Sequence, residues 1–444
     1  MADNTAVFDY FFRKLPFGGG YAIFAGLQDL LDALESMRFS DDELNFLREK
    51  GFHGQFLDYL KGFKFTGSIY ASKEGDVIFP IRPVLSIEAN ILEAQIIETL
   101  VLNILNFQTL VAIKASRIRH IAGDVELVDF GLRRAQSAAG YHASRASIIG
   151  GFNATSNVKA AEDYNIPVSG TMSHSFVQSY DSERQAFSDF SDIWPDRCIL
   201  LLDTYSTLES GVPNAIRVAK EMERRGRHLQ GVRLDSGDLG YLAKETRKLL
   251  DEAGLPYVKI AASNELDEFR IQELKAHDAP IDIFGVGTNL VIGQEDGALD
   301  GVYKLAYAGN KSRIKLSESV GKVTLPAKKQ VYRGIDEHGN FSGIDVIALF
   351  DQKNVEEVFD TLDTDKQLDL NFTHKEQLLE PVIVNGQSSH QTTTLKEIAS
   401  YSKERLALLP DEYKQLTPSK KYNIGISGAL KDIRQTLINE YTKR

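Results

Sequence analysis

The sequence predicts an α/β protein whose middle part is a closed or nearly closed α/β barrel. Three observations carry this. Between residues 121 and 295, short apolar runs alternate with amphipathic helical segments. About seven such runs (ELVDF, SIIGGF, IPVSG, CILLLD, GVRLD, YVKIAAS and IDIFGV) fall within roughly two hundred residues, which favours closure over an open sheet, although a clean eighth strand is missing. Nearly every run ends in a cluster of Gly, Ser, Thr, Asp, Arg or His, and in a barrel those ends share one face.

Ahead of the barrel, apolar residues from Phe24 to Met37 fall at helical spacing, and Ser40 with Glu43 forms a capping-box pattern opening a second helix. The start is therefore expected to be helical. Between Thr66 and Ile87 the runs GSIYAS, DVIFP and VLSI, separated by turn residues, predict a small antiparallel sheet. The stretch from Ala89 to about Ile118 lacks Pro and Gly and predicts one long or two abutting helices bridging two domains. Beyond Arg333 the pattern turns polar and ends in the helical segments LKEIASYSKERLALL and ISGALKDIRQTLINEYTKR, a tail expected to pack back on the N-terminal region. The expected domains are 1–120, an N-terminal α+β domain with bridging helices; 121–295, the α/β barrel; and 296–444, a C-terminal extension.

With 444 residues, 43% hydrophobic and 25% charged, the chain has globular composition and room for two or three domains. Its net charge of -11 argues against a nucleic-acid partner, while leaving room for basic pockets that take anionic substrates. Cys198 is the single cysteine, which excludes an intramolecular disulfide framework and a Cys-cluster zinc site. No secretory pattern and no apolar run of membrane-span length is evident, so a cytoplasmic protein without a membrane partner is expected.

The strand-end clusters lie at 129–134, 154–157, 170–175, 203–205, 233–238, 263–264 and 285–289. Each alone is compatible with an ordinary turn. Their convergence resembles a phosphate-rich active site. Gly285-Val286-Gly287-Thr288 offers backbone N–H groups and a hydroxyl suited to a phosphate. Of Arg133 and Arg134, one is expected to pair with Asp129 while the other binds a carboxylate or phosphate. Arg233 and Asp235 project to the same side of a strand, where they either pair with each other or face a ligand. His174 sits in a Thr- and Ser-rich turn rather than on an apolar face.

The runs FRKLPFGGGYAIFAGL, LVDFGLRRAQ, GGFNATSNV, IPVSGTMSHSFVQSY, LLDTYSTLESGVPNAI, GVRLDSGDL, ASNELDE and FGVGTNL resemble motifs of bacterial nicotinate phosphoribosyltransferases, and LPAKKQVYR resembles a segment after the barrel. The resemblance covers most of the chain, and GTMSHS followed by VRLDSGD is its most specific part. It implies the type II phosphoribosyltransferase fold: an irregular α/β barrel with a second α+β domain formed from N- and C-terminal parts, in a head-to-tail homodimer with shared active sites. It also implies an ATP-dependent, ligase-type enzyme of NAD biosynthesis by salvage. That enzyme condenses nicotinate with phosphoribosyl pyrophosphate (PRPP) to nicotinate mononucleotide and pyrophosphate, coupled to ATP hydrolysis through a phosphohistidine.

By the same resemblance His174 matches the histidine that ATP phosphorylates, Thr171 and Arg233 match nicotinate-site residues, Thr288 matches a residue that binds the ribose phosphate or PRPP, and Arg133 matches a base-site arginine. Asp203 and Asp235 are candidates for ribose hydroxyls or Mg²⁺, since an oxocarbenium-like state needs nearby carboxylates and a stabilised leaving group. Ser175, Asn264 and Gly287 complete the candidate substrate-binding set. No dedicated metal cage is visible, so Mg²⁺ is expected to arrive on PRPP or ATP phosphates.

The nearest rival is a nicotinamide phosphoribosyltransferase. Those enzymes place an aspartate near Ser156 that accepts from the amide, whereas a serine donates to a carboxylate, which favours nicotinate. Quinolinate would call for more basic residues. A catalytically silent binding or dimerisation homologue is opposed by the joint presence of His174, Arg233, Asp235 and Thr288. An unrelated barrel aldolase or hydrolase would need a Schiff-base lysine or metal ligands at strand ends. Finally, family members carry an N-terminal stretch with a DxYxxTM-like motif whose tyrosine stacks on nicotinate. This sequence starts almost at the following match, so the native chain is expected to be longer by a few tens of residues.

Overall fold

The computed structural model describes residues 4–389 and 393–442. They form two compact units, Met1–Leu110 with Ala298–Arg444, and Val111–Gly297. The expectation about a stretch ahead of Asn4 lies outside the described residues.

In the first unit the chain begins as a strand rather than a helix. Thr5–Phe12 (TAVFDYFF) is buried along almost its whole length and pairs antiparallel with both Leu85–Asn90 and Gly301–Ala308. It thereby holds both chain parts in one seven-stranded sheet, which also takes in Ser68–Ala71 and Glu380–Val384. The small sheet expected between Thr66 and Ile87 is split. Ser68–Ala71 and Leu85–Asn90 join the large sheet, while Val77–Ile78 pairs separately with Ala22–Ile23. Pro80, Pro83 and a left-handed Ile81 (φ 74°) turn the chain between them and prevent one continuous ladder.

Helices follow at Leu27–Ser36 and Asp41–Glu49, the second opened by the capping box of Ser40 and Glu43. The tail beyond Arg333 is less polar than its sequence suggests. Lys329–Ile335 and Phe341–Leu349 are central strands of a five-stranded sheet, and Asn423–Ser427 pairs with the latter. Arg333 and Asp345 of this sheet belong to a buried ionic cluster completed by Asp76, Arg82 and Arg405, which come from outside it. Arg333 Nε and Nη2 donate to Asp345 at 3.0 and 3.1 Å, and its Nη1 donates to Asp76 at 3.0 Å. Arg82 meets Asp345 at 2.9 Å, and Arg405 donates to Asp76 at 2.8 Å.

The apolar stretch after Ala89 is two abutting helices, Ile91–Ile96 and Glu98–Ala122. Contrary to the expectation that no apolar run reaches the length of a membrane span, the 25-residue helix is long and apolar enough by length and composition. Yet 61% of its most apolar window is buried, as in a core helix.

The second unit is built on six parallel strands: β1 (Glu126–Asp129), β2 (Ala154–Thr155), β3 (Ile199–Leu201), β4 (Gly231–Leu234), β5 (Lys259–Ser263) and β6 (Ile283–Val286). Their order across the sheet is β2-β1-β6-β5-β4-β3. The fold class is α/β, but the expected barrel does not close: among the described residues no pairing joins β3 to the other edge. IPVSG supplies only a single parallel bridge, Val168 to Thr155. Pro167 has no N–H to extend that ladder. SIIGGF is not a strand either. Its first three residues finish the helix Ala138–Ile149, and Gly150 and Gly151 turn the chain away. Gly150 is pressed on the preceding helix, where a Cβ would lie 2.5 Å from Ala112 O, and Gly151 is left-handed (φ 103°).

Candidate active site

The C-terminal ends of the parallel strands open into a cavity of about 680 Å³ within the second unit. The fold puts the polar clusters there because strand ends of a parallel sheet share one edge.

From β4 comes Arg233 and from just past its end Asp235, with the buried Leu234 between them pointing the other way. The two side chains pair at 2.7 Å. The rest of the guanidinium is also committed, with Nη1 donating to Thr171 Oγ1 at 2.7 Å and Nε to Ser263 Oγ at 2.8 Å. Its carbon stands 5.3 Å from the centre of the Phe130 ring. Room for that ring comes from Gly285 on β6, where a Cβ would lie 2.3 Å from Phe130 Cε2. Burial works to raise the Asp235 pKa, but the Arg233 charge and the Ser263 hydroxyl outweigh it, so the carboxyl stays below the usual range and ionised.

Past β3 comes Asp203, whose side chain is 3% exposed. Its Oδ2 accepts from the Asp235 backbone N–H at 3.2 Å and from the Ser236 hydroxyl. Its Oδ1 is buried and accepts no hydrogen bond among the described residues. His174 opens the short helix His174–Gln178, capped by Ser173. His174 Nε2 lies 3.7 Å from Asp235 Oδ2 and 4.0 Å from Asp203 Oδ1, and Nδ1 lies 3.1 Å from Thr204 Oγ1. Ser175 lines the cavity and shares a hydrogen bond with Ser173 at 2.9 Å.

At the end of β1, Asp129 pairs with neither following arginine among the described residues. Its carboxylate is buried and accepts from Ser144 Oγ, Thr155 Oγ1 and Gly131 N, and burial pushes its pKa up. Arg133 and Arg134 line the cavity, both exposed and without an ion pair among the described residues. Ser156, after β2, donates its hydroxyl to the Asp129 carbonyl at 3.0 Å, and that carbonyl also accepts the Ser156 N–H at 2.9 Å. The hydroxyl can therefore swing to a ligand without orphaning the carbonyl. Past β5, Asn264 and Glu265 adopt left-handed backbone (φ 89° and 47°) on the cavity wall. Past β6, Gly287 precedes the turn of helix Thr288–Val291, and both Gly287 and Thr288 line the cavity.

Ten of the eleven residues singled out in the sequence line one cavity, and Asp203 lies against His174 beside it. Sequence reasoning assigned no role to Phe130, Thr204 or Ser263. Thr204 and Ser263 lie next to singled-out residues and Phe130 lies in the 129–134 cluster, but their roles arise from tertiary contacts.

Three family profiles match: the nicotinate phosphoribosyltransferase (NAPRTase) N-terminal domain over residues 1–106, the NAPRTase family over 125–357, and the NAPRTase C-terminal domain over 328–434. Among relatives, a Bacillus subtilis nicotinate phosphoribosyltransferase is 42% identical over 435 residues, covering 96% of this chain and 88% of the relative. One from Mycobacterium tuberculosis is 43% identical over 416 residues, covering 93% and 84%. The crystal structure of human nicotinic acid phosphoribosyltransferase superposes with a TM-score of 0.89 at 29% identity, covering 98% of this chain and 96% of that one. The Pyrococcus furiosus nicotinate-nucleotide pyrophosphorylase shares the fold, with a TM-score of 0.71 at 24% identity over 91% and 90% of the two chains. The chain belongs to the nicotinate phosphoribosyltransferase family.

Proposed function

We propose that this chain condenses nicotinate with PRPP to give nicotinate mononucleotide and pyrophosphate in NAD biosynthesis, and that ATP cleavage through phosphorylation of His174 drives the reaction. One observation carries this reading. In a protein of net charge -11, three arginines, Asp235 and His174 line a single cavity at the parallel strand ends, with Asp203 beside it. Such a site selects small anions.

Arg133 and Arg134, exposed on the cavity wall and without an ion pair among the described residues, suit the nicotinate carboxylate and a phosphate. Arg233, held over the Phe130 ring by Thr171, Ser263 and Asp235, orients the pyridine ring. The ring nitrogen is a nucleophile at neutral pH, so no general base is needed and orientation dominates. Positive charge developing at C1 of the ribose is met by the ionised Asp235 and by Asp203. Thr288 and the backbone after Gly287 are placed for the ribose phosphate.

Among the described residues no group of three or more His, Cys, Asp or Glu could hold a metal ion. The free buried Oδ1 of Asp203 beside Asp235 fits an ion carried in on phosphate oxygens. Asp203 and Asp235 would hold it, and Mg²⁺ would neutralise charge on the leaving pyrophosphate. The family resemblance further supports a cytoplasmic homodimer with shared sites.

The test is γ-labelled ATP. An acid-labile, base-stable label is expected on the wild type and not on His174→Asn, which should also lose steady ATP cleavage. Equal labelling of the variant would exclude His174 as acceptor.

A further inference from the structure

The turn that follows β5 on the cavity wall is held in a backbone conformation its residues do not favour. Asn264 and Glu265 are both left-handed, with φ of 89° and 47°. Asparagine enters that region readily, but the Cβ of a glutamate crowds the neighbouring carbonyl there, so Glu265 needs an external hold. The chain on either side is fixed. Ser263 ends β5 in register with Gly285 of β6, and Asp267 caps the helix Glu268–Ala276 by accepting from Arg270 N at 2.7 Å. Glu268, 0% exposed, anchors that helix through Lys114 at 2.6 Å and Arg117 at 2.9 Å.

The hold on the turn itself comes from the neighbouring strand end. Asn289 Nδ2 donates to Glu265 O and to Leu266 O, each at 3.1 Å, one amide hydrogen to each carbonyl. The opposite orientation of that amide would set its oxygen against both acceptors. Asn289 lies in the short helix Thr288–Val291 after β6, the parallel neighbour of β5, so one side chain joins two loops of the same cavity. The turn begins at Ser263, whose hydroxyl accepts from Arg233 Nε at 2.8 Å and donates to Asp235. What fixes the turn therefore fixes a support of Arg233.

We propose that Asn289 is a positioning residue for nicotinate: by clamping the left-handed Asn264–Glu265 turn it holds Ser263, and through Ser263 the guanidinium of Arg233, in the geometry that orients the pyridine ring. This rests on the reading of Arg233 as the group that orients the ring. Asn289 spends its donors on backbone and touches neither substrate in this role. Without the clamp Glu265 relaxes toward negative φ, the wall shifts, and Arg233 loses one of its three partners. The effect falls on the base, whose orientation dominates the reaction.

Three variants of the full chain separate this clamp from a role confined to the short helix. Asn289→Ala removes both donors and should lower kcat/KM for nicotinate roughly tenfold, with KM for PRPP little changed. Asn289→Asp is nearly isosteric and suits the first turn of a helix, but it sets acceptors against two carbonyls, so the loss should reach roughly thirtyfold or more. Adding Glu265→Gly to Asn289→Ala should recover about threefold, because glycine is left-handed without strain. The crystal structure of Asn289→Ala should show Glu265 out of the left-handed region. Glu265 unmoved in that structure, full activity in Asn289→Asp, or a loss confined to the KM for PRPP overturns the proposal. So does Asn289→Ala with wild-type nicotinate kinetics, and Arg233→Met then shows where the fault lies: no loss there removes the reading of Arg233, whereas a loss keeps it and removes only the link through Ser263. Should Asn289→Ala not fold, Asn289→Ser keeps one donor and should lose about threefold, the worth of one neutral hydrogen bond, with wild-type kinetics again overturning the proposal.

Discussion

Two Arg–Asp constellations in this molecule use the same residue types to different ends. In the first unit Arg82, Arg333 and Arg405 surround Asp76 and Asp345, and Arg82, Arg333 and Asp345 are 0% exposed. All four carboxylate oxygens there meet a guanidinium or, at Asp345 Oδ1, also the Tyr422 hydroxyl at 2.9 Å. In the second unit Arg233 and Asp235 remain 16% and 21% exposed, and among the described residues Asp203 Oδ1 accepts no hydrogen bond and Arg133 and Arg134 form no ion pair. The closed constellation ties two strands of one sheet to the 76–82 segment and to helix Leu395–Leu408. The open one keeps charges ready for a ligand, and the difference lies in what each leaves unsatisfied rather than in residue type.

The sharpest way to break that comparison is to remove one charge from each. Asp345→Asn should cost stability on the order of 3–5 kcal/mol, because it strands buried guanidiniums. Denaturant unfolding measures this, and a loss below about 1 kcal/mol would mean the closed cluster is not holding the unit. Arg233→Met should instead spare the unfolding midpoint and lower kcat/KM for nicotinate by roughly 10²–10³, the worth of one oriented charged donor. If stability falls and activity survives, the site assignment fails.

Ser156→Asp sharpens the contrast inside the site. A carboxylate facing the nicotinate carboxylate should weaken binding by about 1–3 kcal/mol, read as a rise in Kd by calorimetry. Unchanged affinity would show that this side chain stays on the Asp129 carbonyl when nicotinate binds. The smallest effect is in acid. Asp76 and Asp235 both have folded pKa values held below the ordinary carboxylate value near 3.9, in each case against burial and by neighbouring arginine charge. Their stabilisation is complete above that value and is lost as pH falls through the folded pKa. Stability should therefore drop below about pH 4, and Asp235→Asn should remove only a small part of the slope because the group is partly exposed. A slope wholly abolished by Asp235→Asn would place the acid lability in the site rather than in the closed cluster.

Much of the site was legible because strand-end clusters keep their order in sequence: Asp235 follows Arg233 by two residues, and Thr288 follows a strand. The fold was legible where periodicity and edges agree, as at the Ser40–Glu43 capping box. It was not legible where burial is two-sided. Lys329–Ile335 is buried at every position, and such strands lose the alternation that marks them. SIIGGF failed for a related reason, because a short apolar run reads alike as a buried strand or as the end of a buried helix. The roles of Phe130, Thr204 and Ser263 depend on which strands are neighbours, and that order, β2-β1-β6-β5-β4-β3, is a tertiary property.

The most direct measurement is a competition. The chain is given PRPP, ATP, Mg²⁺ and equal nicotinate and nicotinamide, and the mononucleotides are separated and counted. Nicotinate mononucleotide should form with matching release of pyrophosphate and exceed the nicotinamide product by roughly a hundredfold or more, as polar readout at a charged pocket allows. Nicotinamide mononucleotide as the main product, or no mononucleotide at all from folded protein, would contradict the account.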